Sequence, residues 1–313
     1  MNGPIRRVAV VGAGLVGSGW AIVFARAGLD VAIFDESEAI RAAVLDRIAA
    51  SLDDMRGAGL VADPQPILGR LRVAASLEEA VGEADYVQES VFERVEAKRA
   101  ISLAIDAVMR PEAVVGSSSS GIPASAFTEE CRNRARFLVV HPVNPPHLVP
   151  LVELVPAPWT DPELLPWLRG EMARTGQAPI VVNREIEGFI LNRLQGALLN
   201  EAWALFEDGY ASAADIDLTV SHGLGLRWSF MGPFETIDLN APGGIDDYAR
   251  RLGPLYHSIA RSRTDPHPWS DDLAARAAEE RRRALPLKDL PERSAWRDRR
   301  LIALAVHRRS QDS

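Results

Sequence analysis

The first half of the chain alternates short apolar runs with longer amphipathic segments. The apolar runs have the length of buried strands, and the segments between them repeat apolar residues at helical spacing, as in the predicted helix over 37–56. Strands that alternate with helices predict an α/β fold with a mostly parallel sheet and right-handed crossovers. The predicted strands are residues 8–11, 31–34, 71–75, 86–89, 113–116, 137–140, 151–155 and 180–182.

The pattern changes near Asn183, beyond which it predicts only helices. The first of them is apolar on more than one face, which is typical of a helix buried between partners. We therefore expect an α/β domain over residues 1–183 and an all-helical domain over residues 184–313 that forms a homodimer. The predicted helices are residues 187–208, 212–222, 232–240, 244–262, 271–284 and 291–309.

Glycines in the spacing G-x-G-x-x-G join the first strand to the first helix. Gly12 permits the tight turn, Gly14 lets a pyrophosphate approach the backbone, and Gly17 lets helix and strand pack closely. Asp35 ends the second strand, 18 residues after Gly17, where its carboxylate can accept hydrogen bonds from ribose hydroxyls and repel a 2′-phosphate. This Rossmann-like arrangement predicts NAD as the cofactor; FAD and a turn without any ligand are the alternatives.

Composition and charge narrow the class of protein. Hydrophobic residues make up 47% and charged residues 25% of 313 residues, as is ordinary for a globular protein. The net charge of −8 argues against a nucleic-acid partner. One cysteine, Cys131, allows no internal disulfide, and no Cys/His cluster has zinc spacing. No uncharged apolar run reaches the length of a membrane span. From these features together we expect a cytoplasmic enzyme without a metal.

Polar residues at predicted strand ends are candidates for chemistry, because ligands of such sheets bind at the carboxyl ends of the strands. Oxidation of an alcohol needs a base for the hydroxyl proton, and histidine suits that role at neutral pH. A carboxylate would orient the imidazole, and Ser and Asn would hold the reacting oxygen. From the pattern alone, a structural role for each residue is an equal alternative. The candidates are Ser117–Ser120, His141, Asn144, Glu153 and Asn192.

The whole chain resembles the 3-hydroxyacyl-CoA dehydrogenase superfamily, and within it the lambda-crystallin/L-gulonate 3-dehydrogenase branch. The resemblance is carried by VGAGLVGSGWA (11–21), SSSS (117–120), HPVNPP (141–146), LVELVP (151–156), GFILNRLQ (188–195), EAW (201–203) and GLGLRWSFMGPFETIDLNAPGG (223–244). It implies that His141 is the catalytic base, Glu153 its orienting partner and Asn192 an active-site residue. Counting back from His141 favours Ser119 as the catalytic serine, with Ser120 next.

The resemblance also assigns cofactor contacts and a substrate. Besides the glycines and Asp35, the residues expected at NAD are Leu15, Val16, Glu93, Lys98 and Asn144. The implied reaction is NAD-dependent oxidation of the 3-hydroxyl of an L-3-hydroxy acid, with L-gulonate the leading candidate. A 3-hydroxyacyl-CoA dehydrogenase, a carnitine dehydrogenase and a crystallin-like structural protein are the alternatives.

Two features of the sequence bear on the substrate. Members that use CoA carry a lysine in the helical arm after the second strand, whereas residues 37–75 contain none and retain only arginines. A free hydroxy acid needs a cation for its carboxylate, and Arg227 is the candidate, with a surface or dimer-interface salt bridge as the alternative. Ser120 is the other expected substrate contact.

Overall fold

The computed structural model describes residues 3–263 and 267–311. The described chain contains one eight-stranded sheet, which confirms the predicted α/β fold and all eight predicted strands within a few residues. The strands are β1 (Arg7–Val11), β2 (Asp30–Phe34), β3 (Leu71–Val73), β4 (Tyr86–Glu89), β5 (Val114–Ser117), β6 (Phe137–Pro142), β7 (Leu151–Pro156) and β8 (Ala178–Val181).

The sheet has the order β3-β2-β1-β4-β5-β6-β7-β8. All neighbouring strands are parallel except β6 and β7, which pair antiparallel. The strand order reverses direction between β1 and β4, and the crevice at the carboxyl ends of such strands is where ligands of these sheets bind. The antiparallel pair places His141 directly opposite Glu153.

Helices cover both faces of the sheet. They are α1 (Leu15–Arg26), α2 (Glu38–Gly57), α3 (Gln65–Leu68), α4 (Leu77–Val81), α5 (Val95–Val108), α6 (Ser125–Thr128) and α7 (Leu164–Arg174). The side chains of Ser37 and Ser76 cap α2 and α4 by accepting backbone N–H groups in the first turn. The sequence pattern predicts neither α3 nor α7.

Two apolar clusters sandwich the sheet. One unites α1, α2 and α7 through buried residues such as Trp20, Ile48 and Met172. The other packs α4 and α5 on the opposite face through Val81 and Ile105. Because both faces are covered, the strands read in the sequence as continuous apolar runs rather than as alternating ones.

A second compact unit, Gln195–Arg293, is helical. The remaining helices of the chain are α8 (Leu191–Glu207), α9 (Ala213–Thr219), α10 (Gly225–Trp228), α11 (Pro233–Asp238), α12 (Gly244–Ser262), α13 (Asp271–Ala284) and α14 (Leu290–Gln311), with a π-helical segment at Val220–Leu224. No helix in the described ranges is both long enough and apolar enough to cross a membrane.

The first unit is larger than the predicted α/β domain. It runs to Leu194, past the predicted boundary at residue 183, and it also includes Ser294–Ser313. The physical reason is Ile302 in α14, which is 3% exposed and lies in the same apolar cluster as α1 and α2. Most of α14 therefore packs in the first unit, whereas the sequence pattern assigns it to the helical domain.

Candidate active site

The glycine-rich turn between β1 and α1 has the geometry that its spacing predicts. Gly12 has a φ of +94°, and a Cβ there would lie 2.6 Å from the backbone carbon of Ser90. A Cβ on Gly17 would lie 1.8 Å from the carbonyl oxygen of Gly12. A Cβ on Gly14 would instead meet nothing within 4 Å, so the space above this residue is open. Gly12 and Gly17 therefore cannot be replaced by a larger residue without a clash, whereas Gly14 leaves room for a ligand.

The start of α1 offers backbone donors to that open space. Gly14 is its N-cap, no side chain caps it, and its first turn contains no acidic residue. Leu15 is 70% exposed and Val16 is half-buried, so the first turn of α1 lies at the surface. Uncapped N–H groups at a helix start favour an anion such as a pyrophosphate. The residues present therefore fit a dinucleotide.

Asp35 and Arg47 hold the turn in place. Asp35 accepts the backbone N–H of Ala13 at 2.8 Å and that of Ser37 at 2.9 Å. Arg47 of α2 donates to the Ser18 hydroxyl at 2.8 Å and to the Ala13 carbonyl oxygen. Asp35 thus stands at the carboxyl end of β2, as expected for the ribose contact. Arg47 was not predicted, because no motif distinguishes it from other helix-surface arginines.

His141 and Glu153 form a buried pair across β6 and β7. The His141 Nδ1 lies 2.7 Å from a Glu153 carboxylate oxygen, and the two residues are 5% and 0% exposed. The other Glu153 oxygen accepts the backbone N–H groups of Ile190 at 2.9 Å and Leu191 at 3.0 Å. Every acceptor of this buried carboxylate therefore faces a donor.

Hydrogen bonding determines the charge on Glu153. Burial by itself raises the pKa of this carboxyl, but the hydrogen bonds from His141, Leu191 and Ile190 outweigh burial and lower the pKa below its ordinary value. Glu153 is therefore a carboxylate at neutral pH and can only accept. It follows that His141 donates its Nδ1–H, which leaves Nε2 as the basic nitrogen.

The chain before α8 turns so that the backbone N–H groups of Ile190 and Leu191 face Glu153. Gly188 and Phe189 have φ values of +73° and +50°, which an α-helix cannot continue, so α8 begins at Leu191 rather than at the predicted residue 187. A positive φ is unfavourable for Phe189 by roughly 1–3 kcal/mol. Its ring is fully buried and lies 5.6 Å from the imidazole of His141. This packing offsets the strained backbone and covers the histidine.

The four serines of residues 117–120, the first of which ends β5, have different environments. Ser119 is fully buried, and its hydroxyl lies 2.8 Å from a Glu93 oxygen and 2.7 Å from the Ile122 carbonyl oxygen. Ser120 is exposed, and its backbone N–H donates to Glu93 at 2.8 Å. The Ser120 hydroxyl, which donates to Glu93 at 3.3 Å, is therefore more accessible than that of Ser119, and the catalytic role of Ser119 stays a prediction.

A buried ionic network lies beneath these serines. Lys98 is 1% exposed, and its Nζ lies 3.2 Å from Glu89 and 3.4 Å from Glu93. Glu89 also accepts the hydroxyl of Ser117 and the backbone N–H of Val91. Burial raises the pKa of Glu93, but the charge of Lys98 and bonds from the serine segment lower it overall. Lys98 therefore holds two carboxylates rather than presenting its charge at the surface.

Other predicted site residues lie as follows. The Nδ2 of Asn192, in the first turn of α8, donates to the Ser120 carbonyl oxygen at 2.5 Å. Asn144 is exposed just after β6. Arg227 is exposed in α10 of the second unit, and its contact with a substrate stays a prediction. In the described ranges, no group of three His, Cys, Asp or Glu residues is arranged to hold a metal ion.

Glu89 is a residue of this network that the sequence reasoning missed. The signal was an acidic residue at the end of a predicted buried strand, followed nine positions later by Lys98. An acid in a fully buried strand needs a partner, and one of only two lysines in the chain was available for it.

Known proteins match both the α/β part and the helical part of this chain. The profile of the 3-hydroxyacyl-CoA dehydrogenase NAD binding domain matches residues 7–186, and that of the 3-hydroxyacyl-CoA dehydrogenase C-terminal domain matches residues 188–281. A 3-hydroxyacyl-CoA dehydrogenase of Gibberella moniliformis is 36% identical over 97% of this chain and 87% of its own length. The lambda-crystallin homolog of Bos taurus is 40% identical over 95% of this chain and 94% of its own.

A solved structure agrees with these matches. The structure of 5-formyl-3-hydroxy-2-methylpyridine 4-carboxylic acid 5-dehydrogenase, described as an NAD+-dependent dismutase, aligns with a TM-score of 0.79 and 28% identity. The alignment covers 96% of this chain and 97% of that one. The likeness therefore extends over both units.

Proposed function

Since the chain belongs to the 3-hydroxyacyl-CoA dehydrogenase family and is an NAD-dependent oxidoreductase, we propose that it oxidises the 3-hydroxyl of a free L-3-hydroxy acid, with L-gulonate as the leading substrate. The observation that carries the proposal is the buried His141–Glu153 pair on the sheet that also carries the glycine-rich turn. A base oriented in this way suits the removal of a hydroxyl proton.

NAD, when bound at the glycine-rich turn, would supply the acceptor for the hydride from C3 of the substrate. His141 takes the hydroxyl proton at Nε2, the nitrogen not engaged by Glu153. Glu153 keeps the ring in this tautomer and stabilises the imidazolium that forms. We propose that the Ser120 hydroxyl and the Asn192 amide hold the reacting oxygen, because both are partly or fully accessible, whereas Ser119 is fully buried.

The environment of the arginines in residues 37–75 supports a free acid over a CoA ester. A CoA ester would need cations for its phosphates on the helical arm, and the arm has only arginines. Each has a partner within the protein: Arg41 with the carbonyl oxygens of Asp35 and Glu36, Arg47 with the glycine-rich turn, Arg56 with Asp53, Arg70 with Asp30 and Arg72 with Glu79. Because these arginines already have partners, they favour a substrate without phosphates for this arm to bind.

The experiment that tests the proposal compares substrates by nicotinamide absorbance at 340 nm. L-gulonate, L-carnitine and 3-hydroxybutyryl-CoA would each be supplied with NAD, and Ser120→Ala would be compared with Ser119→Ala on the best substrate. We expect turnover of gulonate, and a larger loss of kcat for Ser120→Ala than for Ser119→Ala. Turnover of the CoA ester alone, or of carnitine alone, would replace the proposed substrate. Absence of turnover on all three would favour a crystallin-like structural role.

We further propose that the protein is a homodimer. None of the side chains of α8 is buried within the chain, and Leu194 is 62% exposed. In the second unit, Phe230 and Phe234 are 71% and 74% exposed. Apolar side chains exposed in this number mark an association surface. Light scattering coupled to size exclusion tests this, with a mass near 34.1 kDa contradicting the proposal.

A further inference from the structure

A second cavity lies in the first unit, among residues that the candidate active site does not use. Its volume is about 310 Å³, at the lower end of the range of small-molecule pockets. The end of α1, the segment before β7, the turn before β8 and the last turns of α14 surround it. Its polar lining consists of Arg26, His147, Gln177, Arg308 and Arg309, and none of the side chains that line it is acidic.

The arginines of this cavity are not neutralised by the protein. Within residues 3–263 and 267–311, no carboxylate lies within ion-pair distance of Arg26 or Arg308. Arg26 is half-buried, and burial together with the charge of Arg309 lowers its pKa. Arg309 is fixed nearby because its guanidinium donates to the Leu60 carbonyl oxygen at 2.9 Å. A guanidinium drawn out of water beside another cation is unfavourable unless an anion accompanies it.

Gln177 and His147 each have a buried polar atom without a partner behind the lining of the cavity. Gln177 is 6% exposed, its Nε2 donates to the Pro146 carbonyl oxygen at 3.3 Å, and its Oε1 has no hydrogen-bond partner. His147 Nδ1 is also buried without a partner. Both atoms are closed off from the cavity, so its charged surface comes from the arginines.

His147 reports the electrostatic potential in the cavity. Burial, and next the charge of Arg26, lower its pKa to about 4, while Asp298 raises it and does not compensate. The imidazole is therefore neutral at pH 7. An anion bound beside Arg26 would cancel the positive potential and raise this pKa, which makes His147 an internal probe of occupancy.

We propose that this cavity binds a small organic anion, such as a carboxylate or a phosphate monoester. Arg26, Arg308 and Arg309 supply the positive charge that the anionic group requires. The apolar side chains of Leu60, Leu148 and Leu301 cover the carbon skeleton. The site is separate from the glycine-rich turn, which binds the pyrophosphate of the cofactor.

The experiment uses the full chain saturated with NAD, so that the pyrophosphate position is filled. Inorganic phosphate, D-glycerate and 3-phosphoglycerate are titrated at constant ionic strength, and the imidazole resonances of His147 are followed by NMR across pH. We expect 3-phosphoglycerate to raise the His147 pKa by about one unit or more and to bind more tightly than inorganic phosphate. Tighter binding of D-glycerate than of phosphate would identify the ligand as a carboxylate.

Variants make the test specific. Arg26→Gln and Arg309→Gln should each weaken 3-phosphoglycerate at least tenfold, and Arg169→Gln, which changes an exposed arginine of α7 outside the cavity, should not. The proposal is overturned if none of the three anions shifts His147 at millimolar concentration, or if the Arg26 and Arg309 variants bind as the Arg169 variant does. Thermal unfolding shows that each variant is folded.

Discussion

Replacement of Glu153 by glutamine keeps the size and shape of this side chain but changes which nitrogen of His141 carries the proton. In the wild type, one carboxylate oxygen faces His141 Nδ1 at 2.7 Å, and the other accepts the N–H groups of Ile190 and Leu191 at 2.9 and 3.0 Å. Glutamine has one oxygen and one NH2 group. Two backbone donors cannot both face an NH2 group, so the glutamine oxygen turns toward Ile190 and Leu191.

The NH2 group then faces His141, and its hydrogen bond requires Nδ1 to be an acceptor. The proton of the neutral ring moves to Nε2, which can no longer take the hydroxyl proton. In serine proteases, the same exchange at a histidine-orienting carboxylate lowers kcat by about 10⁴-fold. We expect a loss of about 10³- to 10⁴-fold in kcat here, or roughly 4–5.5 kcal/mol of transition-state stabilisation. The KM for NAD should change little, because Glu153 does not contribute to the glycine-rich turn.

The assay is steady-state NADH formation on the best substrate, with Glu171→Gln as the matched control. Glu171 also accepts a backbone N–H, from Ile5 at 2.8 Å in a partly buried hydrogen bond, but it lies in α7 outside the site. We expect kcat of the control to stay within a factor of two or so of the wild type. Retention of more than about a tenth of wild-type kcat by Glu153→Gln, with an unchanged unfolding midpoint, would refute the tautomer argument.

Glu153 also predicts a pH dependence of stability. Its folded-state pKa lies below the ordinary value of 4.5, so its contribution to stability is fully present above that value. The contribution is lost as the pH falls through the folded-state pKa. The difference in unfolding free energy between wild type and Glu153→Gln should therefore shrink on acidification below about pH 4.5. A difference that grows as the pH falls would contradict the assignment.

Three further predictions follow from other parts of the first unit. Gly12→Ala should weaken NAD at least tenfold by calorimetry, because the added Cβ would lie 2.6 Å from the Ser90 backbone carbon; unchanged affinity would argue against the turn as the cofactor site. Glu89→Ala should lower the unfolding free energy by about 3–5 kcal/mol in urea titrations, because it leaves the buried Lys98 without one of its two carboxylates, and a change below about 1 kcal/mol would contradict this. Cys131, whose pKa burial raises to about 12, should react with a thiol reagent only when the chain unfolds.

The parts of the fold that could be predicted from the sequence are those encoded locally. The eight strands are short apolar runs between turns, and the serine caps of α2 and α4 are visible in the sequence. The course of α14 could not be predicted. Its apolar stripe indicates a buried face but not which unit supplies the partner, and Ile302 packs with the sheet.

The parts of the candidate site that could be predicted are those in which the spacing of residues along the sequence allows only one structural interpretation. The glycine spacing and the position of Asp35 specify the turn, and the register of β6 and β7 brings His141 to Glu153. The choice between Ser119 and Ser120 depends on tertiary contacts. Glu93, 26 residues earlier in the chain, accepts both hydroxyls, but only Ser119 is fully buried, and no local pattern contains that information.

The central claim is that His141 is the base at an NAD site, and the most direct measurement separates cofactor binding from turnover in His141→Ala. Calorimetry gives the NAD dissociation constant, and absorbance at 340 nm gives NADH formation on the best substrate. We predict a dissociation constant within about twofold of the wild type and a kcat reduced by about 10²- to 10⁴-fold. Near-wild-type turnover with intact NAD binding would contradict the account.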